Sequence, residues 1–443
     1  MILVSVRVVY RMLLWCLVLG SLFATVRPQA FNFQSTLPTN LPPTDEVFVD
    51  DPYYPSLVWS DVFDWKILKV LSQNSSNILF SPVSLKLILA ILYEASSGST
   101  QQEFEDVLDF GSKEIVRERF KKMVDSLHEN YPSSNYFLMN TRIFLDVGLR
   151  IKDVYARKLT DHYRTAVVSA NFSDPERTSS DINIWAEKSS KGSVTKLTDP
   201  SEMKDMIMLL ANIIYFKGTW TYPFPKSQTS IGRFYPMPSD TMIYLPYMVT
   251  VNSFYYFESQ TLEAKMLRLP YQGSKFSMIL VLPLAKAGLK NLVEKIDLVT
   301  LHQQLHFLDK TLVLVSIPKF SFKLKTSYVQ LFKKLGIQKI FQNTASLTGV
   351  AQGNSSILRE LVVSDVLQTT SIDVDEEGTV AFAATAVVIG NKIGVPNAMF
   401  NATHPFLFFI QDDTSGTILF IGTVQNPLNK ELEIWAHSDG PVG

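Results

Sequence analysis

The 443-residue chain is 46% hydrophobic and 19% charged, the make-up of a globular protein able to bury a large core. Its 41 Lys and Arg against 42 Asp and Glu leave a formal net charge of −1, which argues against a nucleic-acid footprint over the whole surface. No internal repeat or long low-complexity tract is present.

The first segment reads as an address rather than as fold. Arg7 and Arg11 precede the apolar run Met12 to Ala24, short for a membrane span and suited to a secretory signal over residues 1–24, cut after Ala24. The expectation is a secreted, extracellular protein with no membrane span. Cys16, the only cysteine, lies inside that signal, so the mature chain has no intrachain disulfide and its stability must come from the core. Four sequons, at Asn74, Asn171, Asn354 and Asn401, are candidate glycosylation sites on that route.

Residues 25–56 form a Pro-containing extension that turns acidic and aromatic between Asp45 and Tyr54 and reads as disordered. A helical pattern follows from Ser60 to Leu71, and after Pro82 comes a run, Leu85 to Leu92, too apolar for a surface helix. Amphipathic helical windows are expected near 113–130, 151–163 and 179–190, and strand-rich segments over 207–216, 276–283, 311–316, 361–374 and 404–424. The pattern predicts an α+β domain with helices crowded early and strands late.

The helical window from residue 113 carries Lys113, Arg117, Arg119, Lys121 and Lys122, a candidate for weak binding of heparin-like polyanions. Glu114 and Glu118 dilute it, and a solvated helix face is the plainer reading.

From Glu376 the chain runs through Glu377, Gly378, Thr379 and a series of small and β-branched residues without a charge until Lys392. In a strand, Thr379, Ala381, Ala383 and Thr385 share one face, all small, with Val380, Phe382 and Ala384 on the other. Nothing in the segment can act as acid, base, nucleophile or metal ligand. Taken alone, it reads as a buried strand of an ordinary sheet. Catalytic signatures are absent elsewhere: there is no Gly-x-Ser-x-Gly, no His-Glu-x-x-His and no phosphate-binding Gly-x-x-x-x-Gly-Lys. His302 and His306 have helical spacing, but the six histidines do not cluster as metal ligands. No enzymatic activity, metal or cofactor is expected.

Several motifs, in order, carry a resemblance. Asn77-Ile78-Leu79-Phe80-Ser81-Pro82-Val83-Ser84, Asn212-Ile213-Ile214-Tyr215-Phe216-Lys217-Gly218-Thr219-Trp220, Ile317-Pro318-Lys319-Phe320, Phe400 to Phe406 and Ile418 to Gly422 resemble, together with the segment from Glu376, the serpin family over residues 57–428. The resemblance implies early helices packed on a large central β-sheet, smaller sheets, an exposed C-terminal reactive loop at about 376–399 and a tail at 429–443. It also implies a monomer that inhibits a serine protease as a suicide substrate. The protease cuts the loop, and the loop inserts as a strand before the acyl-enzyme is hydrolysed.

Within that resemblance, Glu376, Glu377, Gly378, Thr379, Ala381 and Ala383 match the hinge, where a buried charge would stall insertion. Phe382 departs from the small residue usual there. Counting sixteen positions from Glu376 places the reactive bond at Lys392-Ile393, and a lysine there implies a trypsin-like target. Ser81, Ser84 and Asn212 match a polar cluster beneath the sheet opening, with Gln368 in place of the family's histidine. Lys319 and Glu376 match an ion pair near Trp220. Asn391 to Gly394 resemble loops of insect haemolymph serpins that mimic activation sites in melanisation, an innate-immunity cascade. A non-inhibitory serpin acting as a carrier or storage protein is the alternative.

Overall fold

Two helix signals near the start of the domain show how sequence becomes packing. The helix Pro82–Ala95 opens with proline at its first turn, where the missing N–H costs nothing, and all fourteen of its residues are buried. The helix Lys113–His128 buries only Val116, Phe120, Val124 and Leu127, one stripe at helical spacing. Our computed structural model describes residues 61–73, 77–128, 135–237, 241–352, 361–379, 395–429 and 431–434, all within one unit, Asp51–Gly443. The expected signal, the 25–56 extension, Asn74, Asn354, Ala381, Ala383, Lys392 and Ile393 lie outside the described residues.

In chain order the strands are β1 (Ile78–Phe80), β2 (Asn135–Asp146), β3 (Arg150–Ile151), β4 (Ala166–Ala170), β5 (Met208–Thr219) and β6 (Ser230–Phe234). Next come β7 (Ile243–Ser259), β8 (Ala264–Pro270), β9 (Phe276–Pro283), β10 (Asp309–Pro318), β11 (Phe320–Ser327) and β12 (Ala351–Gln352). The last are β13 (Asp365–Val374), β14 (Gly378–Thr379), β15 (Ala398–Asn401), β16 (Phe406–Asp412), β17 (Ile418–Val424) and β18 (Glu431–Ile434).

They form one large sheet in the order β18-β11-β13-β5-β2-β4, with β14 on β5, and a second in the order β1-β17-β16-β9-β8-β7-β10-β15, with β6 on β7. β3 and β12 form a small third pair. The fold is α+β, as expected, with helices beside a seven-stranded mixed sheet, a nine-stranded sheet and a two-stranded pair.

In the large sheet β11 runs antiparallel to β13, and β5 antiparallel to β2, but β13 and β5 are parallel neighbours from Asp365↔Leu209 to Ser371↔Tyr215. β5 is buried on both faces for most of its length, which gives it the nearly continuous apolar run of a central strand. β11 alternates buried and half-buried residues, with one face on the core.

Helices crowd the early chain, as expected, and the shorter Leu289–Lys295, Leu298–His306 and Val329–Lys334 lie among the later strands. The strand within 361–374 begins only at Asp365. Before it, Val363 N–H bonds the carbonyl of Ile340 and Ser364 N–H that of Met208, so these residues are held by backbone bonds to distant segments ahead of the strand. The run expected over 404–424 is two strands, β16 and β17, paired antiparallel to each other. No helix among the described residues is long and apolar enough to cross a membrane.

Candidate functional site

The parallel junction of β5 and β13 is held by side chains from beneath. Gln368 and Asn212 are register partners across it, and Gln368 Nε2 donates to Asn212 Oδ1 at 3.3 Å and to Ser84 Oγ at 3.1 Å. Ser84 Oγ donates to Asn212 Oδ1 at 2.5 Å, and Asn212 Nδ2 donates to Thr141 Oγ1 on β2 at 2.8 Å. Gln368 Oε1 accepts from Ser81 N–H, Tyr328 O–H and Thr370 O–H at 3.2, 3.3 and 3.1 Å. One glutamine thus ties the helix Pro82–Ala95 to both strands of the junction.

Ser84, Asn212 and Gln368 are all fully buried, so an unmade hydrogen bond here would cost about 1–3 kcal/mol. The expected cluster therefore assembles, with one change of role. Ser81 contributes its backbone N–H, and its buried hydroxyl has no partner among the described residues. No member is charged near neutral pH, since burial raises the Tyr328 hydroxyl far above its ordinary value.

Above this network β13 turns back on itself. Asp375 Oδ1 accepts from the N–H groups of Glu377 (2.9 Å) and Gly378 (3.2 Å), and Asp375 N–H bonds the Gly378 carbonyl at 2.8 Å. The turn sends Gly378 and Thr379 antiparallel along the end of β5, opposite Thr219 and Gly218. Gly378 is obligatory there: its φ is +144°, and a Cβ would lie 1.9 Å from the Gly218 carbonyl oxygen. Two residues expected in the hinge, Gly378 and Thr379, thus pair with β5.

Both hinge glutamates are held. Glu376 accepts from Lys319 Nζ at 2.8 Å and Thr229 Oγ1 at 2.7 Å, with its side chain only 7% exposed. Burial alone would raise its carboxyl, but the hydrogen bonds from Lys319 and Thr229 outweigh it and leave the pKa below the ordinary glutamate value. Glu377 accepts from Lys226 Nζ at 2.5 Å at the surface. The backbone carbonyls are gripped as well: Phe224 N–H bonds that of Glu376, and Trp220 N–H that of Glu377. Trp220 Nε1 donates to the Asp375 carbonyl at 3.0 Å, while its ring stacks on Tyr271 at 4.4 Å.

Sequence reasoning named Lys319, Glu376 and Trp220 but missed Thr229, Lys226, Thr141 and Tyr328. No local pattern marks them, because they act through contacts distant in the chain.

The basic cluster lies on the helix Lys113–His128, and much of its charge is turned inward. Arg117 pairs with buried Glu94 at 2.7 Å, Lys121 with Asp125 at 2.5 Å, and Lys113 Nζ donates to the Ser96 carbonyl at 2.5 Å. Arg119 and Lys122 are exposed. Of the sequons, Asn171 and Asn401 have exposed side chains, Asn171 in a turn closed by the Ser173 N–H on its Oδ1 and Asn401 at the end of β15. No group of three or more His, Cys, Asp or Glu that could hold a metal occurs among the described residues.

Comparison with known proteins bears on this arrangement. The family model described as serpin (serine protease inhibitor) matches residues 60–427. Serine protease inhibitor 2 of Anopheles gambiae is 32% identical over 379 residues, covering 83% of this chain and 91% of that protein. The crystal structure of Serpin48, a highly specific serpin in the insect Tenebrio molitor, superposes with a TM-score of 0.74 at 28% identity, over 83% of this chain and 97% of the other. Human thyroxine-binding globulin complexed with its hormone shares the fold at a TM-score of 0.76 and 24% identity, over 83% of this chain and 97% of the other.

Proposed function

Because the chain belongs to the serpin family, we propose that it is a secreted inhibitor that traps a trypsin-like serine protease as a suicide substrate. The protease serine attacks the Lys392 carbonyl carbon, the bond to the Ile393 nitrogen breaks, and the new amino terminus leaves with the departing proton. The acyl-enzyme then rides on a loop whose base enters the β5/β13 junction. Lys392 is the residue whose ammonium pairs with the carboxylate of a trypsin-like specificity pocket. Secretion rests on the leader-like segment 1–24 and the sequons, and action in an extracellular cascade such as melanisation rests on the loop residues Asn391 to Gly394.

The observation that carries this reading is the pairing of Gly378 and Thr379 with β5 beside a parallel neighbour, β13. A strand entering between two parallel strands and antiparallel to both finds donors and acceptors on each side. The segment that would follow carries no charge before Lys392, so its burial at roughly 25 cal/mol per Å² favours insertion. Polyanion binding by the 113–122 cluster is not needed for this mechanism.

Incubation with trypsin tests the proposal. An SDS-stable complex is expected from the native chain and none from Lys392→Ala. Clean cleavage after Lys392 without complex would overturn inhibition of trypsin-like enzymes. It would leave the carrier reading, whose own support is a cavity of about 700 Å³ lined by residues including Lys69, Met237, Leu289, Val293 and Pro405.

A further inference from the structure

The match to the family ends at residue 427, but the chain goes on, and Glu431–Ile434 forms β18 in parallel register with β11. Without β18, β11 would be the outermost strand of the large sheet on that side, an eight-residue row of backbone donors and acceptors. Such a row is a template for strands from other chains, and solvated lysines are a common protection against them. β11 has Lys323 and Lys325, but Lys325 is already engaged. Its Nζ lies 3.0 and 3.2 Å from the two carboxylate oxygens of Glu202, and its side chain is only 12% exposed.

The tail matches this edge residue by residue. Glu431 is the register partner of Lys323, Leu432 of Leu324 and Glu433 of Lys325. An acidic residue in register with Lys323 favours pairing, whereas a second β11 brought to the same edge in register would set Lys323 against its own copy. The path into the tail is fixed by Asn77, which is buried at the start of β1. Its Nδ2 donates to the carbonyls of Asn426 (2.7 Å) and Asn429 (3.1 Å), and its Oδ1 accepts from the N–H groups of Gln425 (2.7 Å) and Asn426 (2.9 Å). All four hydrogen-bonding positions of one amide are thereby spent on the turn that launches the tail. A strand tethered so close to its partner has a high effective concentration there.

We propose that the C-terminal tail is a cap in cis on the β11 edge, which excludes strands of a second copy and keeps the protein monomeric. Two variants of the full protein test this: a chain ending at Leu428, and a full-length chain carrying Glu431→Lys and Glu433→Lys, whose tail is repelled by Lys323 and Lys325. Hydrogen exchange of peptide 320–327 and light scattering after incubation just below the unfolding temperature are the readouts. Both variants are expected to exchange several-fold faster over 320–327 and to form oligomers that the native chain does not. An excess of a synthetic 429–443 peptide is expected to restore the truncated chain. Exchange over 320–327 equal to the native chain in both variants, or monomers throughout, would overturn the proposal. No protease enters the experiment, so its outcome is independent of the inhibitory reading.

Discussion

Gln368 of β13 and Asn212 of β5 stand directly opposite each other in register, and their side-chain amides are hydrogen bonded at 3.3 Å beneath the one parallel junction of central strands in the large sheet. Every additional strand inserted at that junction must part them. Because neither group titrates, the lock they form is the same at pH 5 and pH 8.

Gln368→His makes this testable. Burial disfavours the imidazolium, so the folded-state pKa falls below the ordinary value of about 6.5. A depressed folded pKa means that the stability is present above the unfolded value and is lost as pH falls through the folded one. The variant's melting temperature is expected to drop between pH 7 and pH 5 relative to the native chain, measured by differential scanning fluorimetry at matched ionic strength. Parallel curves for the two proteins would remove the argument.

Lys319→Ala removes the cation from the Glu376 carboxylate and leaves it the Thr229 hydroxyl and a backbone hydrogen bond. Lys319 is 36% exposed, so the loss is discounted for solvent screening to about 1–2 kcal/mol, read from the urea midpoint. The native Glu376 pKa lies below its ordinary value, so this contribution is present above the ordinary glutamate pKa and disappears as pH falls through the depressed one. The difference between native and variant should accordingly shrink in acid.

Gly378→Ala drives a methyl group into the Gly218 carbonyl. The hinge must leave the end of β5, and insertion then starts from an unpaired loop. We expect trypsin to cleave the variant normally while the share recovered as SDS-stable complex falls several-fold. An unchanged complex yield would show that the paired hinge is not a starting point for insertion.

Ala381→Glu places a carboxylate on the small-residue face that enters the sheet. Burying it unpaired costs several kcal/mol, comparable to the driving force gained over a few residues. Full conversion to substrate behaviour is expected, with cleavage after Lys392 and no complex on denaturing gels. Phe382→Ala, on the other face by strand alternation, should retain the complex and serves as the control.

How far the chain could be read in advance differs from feature to feature. Ser84, Asn212 and Gln368 converge because short motifs place each on a strand or helix of fixed geometry, and the Lys319–Glu376 pair follows for the same reason. Ser81 shows the limit: a motif supplies the residue but not which of its atoms faces the partner, and here it is the backbone N–H. β2 escaped notice because Asn140, Thr141 and Arg142 interrupt its apolar pattern, and Thr141 is there to receive Asn212. Thr229, Lys226 and β18 were invisible because each is defined by a partner roughly one hundred or more residues away in the chain. Such contacts leave no local periodicity.

Trp220 stacks on Tyr271 and donates its indole hydrogen to the Asp375 carbonyl, at the point where β13 turns over. In the proposed insertion that turn would straighten into a continuous strand, the carbonyl would leave and the indole would lose its acceptor. The molecule therefore carries an optical gauge of its own conversion. With the chain's other tryptophans replaced by phenylalanine, emission from this ring is expected to time the proposed passage of the loop base without any attached dye, while gels record only the end of the event.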